Sequence, residues 1–254
     1  DQQLVVIDTT ANNSDVSLAV QISTDRDNDA YVNSTELGGA STFTAKATFA
    51  NGLGSSVKVG DKITFNATND GVSQTPVTVT LTQADIANGY VTTTFPKPSE
   101  GKVQVVTASY TDLAGNAATG VVSDSATLDT TSPTIALSRT DTNGTLVNGI
   151  NTLKPGETAT ITLTLSEPPA SGTLTANDLV SSAGGTIGTV TATSDPKVFI
   201  VTYTPPANAQ GTDTITVADH VFTDQAGNDN LDTYVNPAVA PLTYEANNQI
   251  TVAY

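Results

Sequence analysis

Two short motifs recur in the same order along this chain, and a chain that repeats itself at domain length folds as tandem copies of one unit. Asp8-Thr9-Thr10-Ala11 returns 121 positions later as Asp129-Thr130-Thr131-Ser132-Pro133. Tyr110-Thr111-Asp112-Leu113-Ala114-Gly115-Asn116 returns 112 positions later as Phe222-Thr223-Asp224-Gln225-Ala226-Gly227-Asn228. A weaker match pairs Tyr31-Val32-Asn33 with Leu146-Val147-Asn148. A length of 254 residues accommodates two domains of roughly 100–150 residues each. The repeats therefore predict boundaries at 1–130 and 131–254, with a short linker at 129–133 that ends in proline and should swing little.

Within each repeat the apolar residues alternate with polar ones, which is the period of a half-buried strand. Repeat one predicts strands near 15–23, 42–49, 57–67, 76–82, 90–95, 102–111 and 119–128. Asn51-Gly52, Asp70-Gly71 and Asn88-Gly89 supply residues that tolerate the positive φ of tight hairpin turns. Repeat two predicts strands near 134–139, 157–166, 186–193, 197–204, 212–218, 232–235 and 242–252. Pro133 and Pro155 stand at strand starts, where a missing N–H costs least. Segment 170–185 is less regular and is expected to hold a short helical turn. Seven short strands per repeat fit a β-sandwich, so the expected class is all-β, two tandem sandwiches joined end to end.

The charge and composition exclude several functions. Twenty-five acidic against nine basic residues give a formal charge of −16, which repels phosphate backbones and anionic lipid, so no nucleic acid partner is expected. No apolar run reaches the roughly 20 residues of a membrane helix, so no direct membrane insertion is expected. Cysteine is absent, which removes disulfides, thiolate catalysis and zinc–thiolate sites. The single histidine, His220, reads as a surface or half-buried strand residue and leaves histidine-dependent triads unavailable. Without tryptophan and with few aromatics, a sugar-stacking glycosidase cleft is disfavoured. No enzymatic activity is expected.

The carboxylates cluster. Asp25-Arg26-Asp27-Asn28-Asp29-Ala30-Tyr31-Val32-Asn33-Ser34-Thr35-Glu36 matches the EF-hand loop at positions 1, 3, 5, 7, 9 and 12. A hard cation takes six to eight oxygens at about 2.3–2.6 Å. Asp25, Asp27, Asp29, Asn33, the Tyr31 carbonyl and a bidentate Glu36 can supply them. Position 6, ordinarily glycine, is Ala30, whose positive φ should cost about 1 kcal/mol. The flanks read as strand, so the loop is expected between the first two strands and not in a helix pair; the competing reading is a solvated acidic loop. The corresponding stretch of repeat two, Thr140 to Thr145, lacks the carboxylate series and reads as an ordinary turn.

A second, distributed group follows from the sandwich. The Asp-x-Ala-Gly-Asn turn joins the last two strands, at the end where an immunoglobulin-like chain enters. Asp112 and Asn116 are thus expected near Asp8, and Asp224 and Asn228 near Asp129, each group holding one calcium ion. The loop 25–36 should project from the opposite end of repeat one, beside the linker. An Asx-turn without metal is the competing reading.

Carried by the DTTA and DTTSP linkers, DLAGN and DQAGN, DRDNDAYVNSTE and the run ETATITLTLSEPPASGTLTANDL, the chain resembles the bacterial immunoglobulin-like repeats of giant type I-secreted, calcium-dependent RTX-type adhesins. The likeness covers most of both repeats. It implies Ca2+ at the linkers, a multi-repeat stalk, and an extracellular, cell-surface location of the kind involved in biofilm. It also implies partnership with neighbouring immunoglobulin-like repeats of the same chain, acting as a monomer. The chain starts without methionine and stops within a strand, so it reads as a piece of something longer. The expected function is a calcium-stiffened extender that projects a distal binding region. The alternative is a ligand-binding adhesin module contacting a glycan, peptide or host surface, which segment 170–185 would favour if it rimmed a cleft.

Overall fold

A computed structural model describes residues 9, 16–51, 55–139, 145–147, 150–154, 156–207, 209–231 and 242–244. The chain divides into two compact units, Asp1–Thr131 and Ser132–Tyr254.

In the first unit, strands β1 (Ala19–Ile22), β3 (Thr42–Thr48) and β7 (Tyr90–Pro96) form one antiparallel sheet. The second sheet runs β2 (Tyr31–Val32), β9 (Val122–Leu128), β8 (Val103–Thr111), β4 (Lys62–Asn69), β5 (Val72–Ser73), with β6 (Val77–Thr80) also pairing with β4. The alternation seen in the sequence is the cause. In β3 every second residue, Phe43, Ala45 and Ala47, is buried, and Ile63, Phe65 and Ala67 of β4 do the same from the other sheet. Val106, Ala108 and Tyr110 of β8 complete the layer. Burying each large side chain contributes about 1.5–3 kcal/mol, and a one-residue slip would turn the whole set to solvent.

Turn chemistry is mixed. Asp70 and Gly71 both adopt positive φ (51° and 80°) and close the two-residue hairpin that sets Asn69 opposite Val72, as expected of such a pair. Asn88-Gly89 does not make a hairpin. It ends helix α2 (Gln83–Asn88), with Gly89 at φ 73° as the left-handed cap and Thr82 and Asp85 as the capping box. A Thr-x-x-Asp signature was present at that N-terminus, and capping fixed the helix where apolar periodicity was silent. The strand expected from 57 begins at Lys62, because Val59-Gly60 turns the chain first, with Gly60 at φ 97°. Residues 16–18 precede β1, while residue 15 and Gly52 lie outside the described residues.

The second unit has a sheet ordered β10 (Ile135–Arg139), β13 (Ala159–Leu165), β17 (Val198–Thr204), β15 (Thr186–Ile187), with β16 (Thr191–Ala192) also on β17. Facing elements are β11 (Thr145–Val147), β12 (Ile150–Leu153), β20 (Leu242–Tyr244) and β18 (Gly211–Asp213) in one sheet, and β14 (Leu179–Ser181) with β19 (Ile215–Val217) in another. Its core is built on Ile161, Leu163, Val201, Tyr203, Ile215 and Phe222. The expected helical turn in 170–185 is the 3-10 turn Ala176–Asp178, and Leu174 and Leu179 on either side of it are buried in the core. The strand expected at 232–235, the end of the one expected at 242–252, the turn at 140–144 and Pro155 lie outside the described residues.

Among the described residues each unit has one parallel pairing within an otherwise antiparallel scheme: β2 beside β9, and β12 beside β20. In both, an early strand of the unit pairs with the last strand described in it. That is an all-β, immunoglobulin-like sandwich class. No described helix is long and apolar enough to cross a membrane.

Candidate metal centre

The segment from the end of β1 through β2 to Glu36 brings three carboxylates together: oxygens of Asp25, Asp27 and Glu36 all lie within 4.8 Å of one another. Asp25 and Glu36 are buried, at 5% and 8% exposure, and Asp27 is exposed. At that separation two carboxylates repel by about 1–4 kcal/mol per pair between the aqueous and near-surface limits.

Backbone amides hold the cluster. Asp25 accepts the amides of Asp29 (3.3 Å) and Ala30 (3.0 Å), and Glu36 accepts those of Arg26 (2.7 Å) and Asn33 (3.1 Å). Ala30 has φ 73° and Asn28 φ 60°, so alanine carries the left-handed conformation that this position demands. Burial raises the pKa of Asp25, and neighbouring Asp29 and Glu36 add to the rise, outweighing the amides of Asn28 and Ala30. Asp29 is likewise raised, by burial first and then by Asp27 and Glu36 against the Tyr31 amide. In both, burial and the neighbouring acids disfavour the charged form.

The expected ligands are not all alike in placement. Asp29 stands outside the three-carboxylate group, and its Oδ1 accepts the Tyr31 amide at 2.8 Å. Asn33 uses its Oδ1 to cap a single helical turn α1 (Ser34–Leu37), accepting the Glu36 amide at 3.0 Å. The strand-like outgoing flank expected here is thus a helical turn, because Asn33 and Glu36 form a capping box. Tyr31 lies on β2, where the carbonyls of Ala30 and Val32 accept from Thr127 (2.9 Å) and Asp129 (3.1 Å) of the adjoining strand segment. Alternation along a strand therefore turns the Tyr31 carbonyl away from β9. An all-oxygen set of this composition fits a hard divalent cation such as calcium better than a nitrogen- or sulfur-seeking metal.

The Asp-x-Ala-Gly-Asn turns have the same internal geometry in both units. Asp112 donates its amide to the Asn116 carbonyl (3.0 Å) and accepts the Asn116 amide (2.8 Å) and side-chain nitrogen (2.9 Å). Asp224 and Asn228 repeat this at 3.1, 2.9 and 2.9 Å. Gly115 (φ 94°) and Gly227 (φ 83°) make the turn possible. The Asn116 side chain, with the local amides, holds the Asp112 carboxyl below its ordinary pKa. Asp112 is half-buried, whereas Asp224 and Asn228 are buried at 1% and 3% exposure. Asp8, the expected partner of Asp112, lies outside the described residues. Asp129 follows β9 in the first unit, whereas Asp224 and Asn228 belong to the second.

One acidic neighbour was missed from the sequence. Glu167, just past the end of β13, has a carboxylate oxygen within 4.8 Å of one of Asp224, and the Pro169–Asp224 bridge brings the two segments together. Its only sequence signal was an acid at a strand end before Pro168.

The sandwich units and their turn motifs define the class as immunoglobulin-like repeat. Residues 129–240, most of the second unit, match the family model of a bacterial Ig-like domain. Among solved structures the chain is similar to one described as a 1.5-MDa bacterial ice-binding adhesin (18% identity, TM-score 0.38), covering 85% of this chain and 61% of that one. It is also similar to a tetra-tandem repeat from the extending region of a large adhesion protein (19% identity, TM-score 0.33), covering 91% of this chain and 50% of that one. The chain thus spans less than two thirds of either. No curated protein matches it.

Proposed function

We propose that this chain is a calcium-stiffened structural spacer of a bacterial cell-surface adhesin, built from immunoglobulin-like repeats, and not an enzyme. One observation carries the reading. Ala30, whose amide Asp25 accepts, takes the Thr127 amide on its own carbonyl, and two residues on, Val32 takes that of Asp129, so a cation ordering the loop orders the end of the last strand as well. Asp29, Asn33 and the Tyr31 carbonyl are proposed to complete the shell by small side-chain rotations or through water. From the repeated sequence pattern, Asp129 is assigned with Asp224 and Asn228, and Asp8 with Asp112 and Asn116, to further calcium ions; Glu167 joins Asp224. The chain would act as a monomer alongside neighbouring repeats, in an extracellular setting where calcium is plentiful, and binding energy would then add to folding stability.

Packing of segment 170–185 onto its own core through Leu174 and Leu179 supports a spacer over a binding cleft. Calorimetric titration of calcium, with thermal melts before and after chelation, tests the proposal. At calcium a hundredfold above its Kd the Asp25–Glu36 site should add about 2.7 kcal/mol to the first unit, and Asp25→Asn with Glu36→Gln should abolish that contribution. Indistinguishable melts with and without chelator would overturn it.

A further inference from the structure

Three consecutive residues at the end of the first unit are held from two sides. On one side the Asp129 amide donates to Val32 of β2 at 3.1 Å. On the other, Glu100 accepts the Thr130 amide at 2.6 Å and the Thr130 hydroxyl at 2.8 Å, while the Thr131 hydroxyl reaches the same carboxylate at 3.1 Å. Glu100 is carried on a rigid support: Ser99 to Lys102 is closed by a Lys102 amide to Ser99 carbonyl bond (3.0 Å), and Gly101 supplies φ 69°. The Gly101 amide then bonds the Leu128 carbonyl (2.8 Å), and the Leu128 amide bonds the Lys102 carbonyl (3.0 Å). The turn and the strand end thus form one hydrogen-bonded piece, and the carboxylate on its tip meets the next two residues.

We propose that Glu100 is a latch that fixes the path on which the chain leaves the first sandwich, and that it does so without any cation. A carboxylate accepting three donors, one of them a backbone amide, makes charge-assisted bonds with defined direction. Because the donors come from two adjacent residues, the latch constrains the backbone at 130 and the orientation at 131 together. Burial by itself raises the Glu100 pKa, yet the Thr130 and Thr131 donors outweigh it and hold the carboxyl below its ordinary value, as a carboxylate engaged in its charged form should be. The inference does not rest on calcium at the Asp25 loop.

Residue-resolved amide hydrogen exchange on the whole chain tests it, in EGTA and in calcium. With EGTA present the Thr130 amide should be protected at least tenfold over its intrinsic rate. Glu100→Ala should remove that protection, and Thr130→Val should weaken it, while the amides of Val106 and Leu128 in the β8–β9 region keep theirs and report an intact fold. Glu100→Gln, which can still accept, should retain part. Protection of Thr130 seen only with calcium, or unchanged in Glu100→Ala, would overturn the latch. The calcium arm reads the spacer proposal separately, since loss of calcium binding leaves the EGTA result untouched.

Discussion

Tyr110 donates its phenol to Asp61 at 2.5 Å in the core of the first unit, and the other oxygen of Asp61 accepts the Leu113 amide at 2.9 Å. Asp61 also takes the Lys58 amide at 2.6 Å. One buried carboxylate, 2% exposed, therefore ties the end of β8 and the start of the Asp112–Asn116 turn to the turn before β4. Tyr110→Phe removes one bond to a buried charge and should cost about 1.5–3 kcal/mol. Urea denaturation with unchanged slope checks it; a loss under about 0.5 kcal/mol would show that water replaces the phenol.

Ala30→Gly should act in the opposite direction. Its φ of 73° is strained for a residue with a Cβ by about 1 kcal/mol, and glycine relieves it. Part of the gain is offset by glycine's freedom in the unfolded chain. The variant should therefore stabilise the first unit by at most about 1 kcal/mol, read as a higher urea midpoint. A lower midpoint would show that glycine's freedom in the unfolded chain outweighs the strain relieved.

The second unit should be acid-sensitive through Asp213. Burial alone would raise this carboxyl, but Ser181, Tyr203 (2.7 Å), Ala183 (2.9 Å) and Ser182 (2.9 Å) all donate to it and hold its pKa below the ordinary value. A folded pKa depressed below the unfolded one contributes stability that is fully present above the unfolded value, about 3.9, and is lost as pH falls through the folded value. Asp213→Asn should be less stable at pH 7 and show a flatter stability profile below about pH 4. Parallel acid profiles for both proteins would exclude this role.

Gly185→Ala should be costly for a reason unrelated to φ. A Cβ there would stand 2.3 Å from Tyr203 Cε2 and 2.8 Å from its hydroxyl oxygen. Tyr203 is fully buried and anchored on Asp213, so it cannot step aside without releasing that bond. Overpacking of this kind costs about 1–3 kcal/mol, measurable as a lower denaturation midpoint. An unchanged midpoint would mean that the backbone of 184–186 yields instead.

The strands of the first unit were legible because alternation at period two is a local property: Phe43, Ala45 and Ala47 name their own buried face. The positive φ at Ala30 was legible too, since the spacing of Asp25, Asp27 and Glu36 dictates where the loop must turn. The Asp70-Gly71 hairpin was readable from its dipeptide. Asn88-Gly89 was not, because the same dipeptide tolerates both a hairpin turn and a helix cap, and only the Thr82–Asp85 box upstream selected the helix.

What the sequence by itself determined was the duplication, the all-β class, and the residues from which an oxygen-rich loop could be made. Tertiary structure alone decided that Asp25, Asp27 and Glu36 converge while Asp29 and Asn33 bond to nearby backbone, that Glu167 lies by Asp224, and that Glu100 meets Thr130. Those pairings join segments distant in sequence or choose among local hydrogen-bond partners of similar strength. Such choices are set by how strands register across a core, and side-chain periodicity carries no record of them.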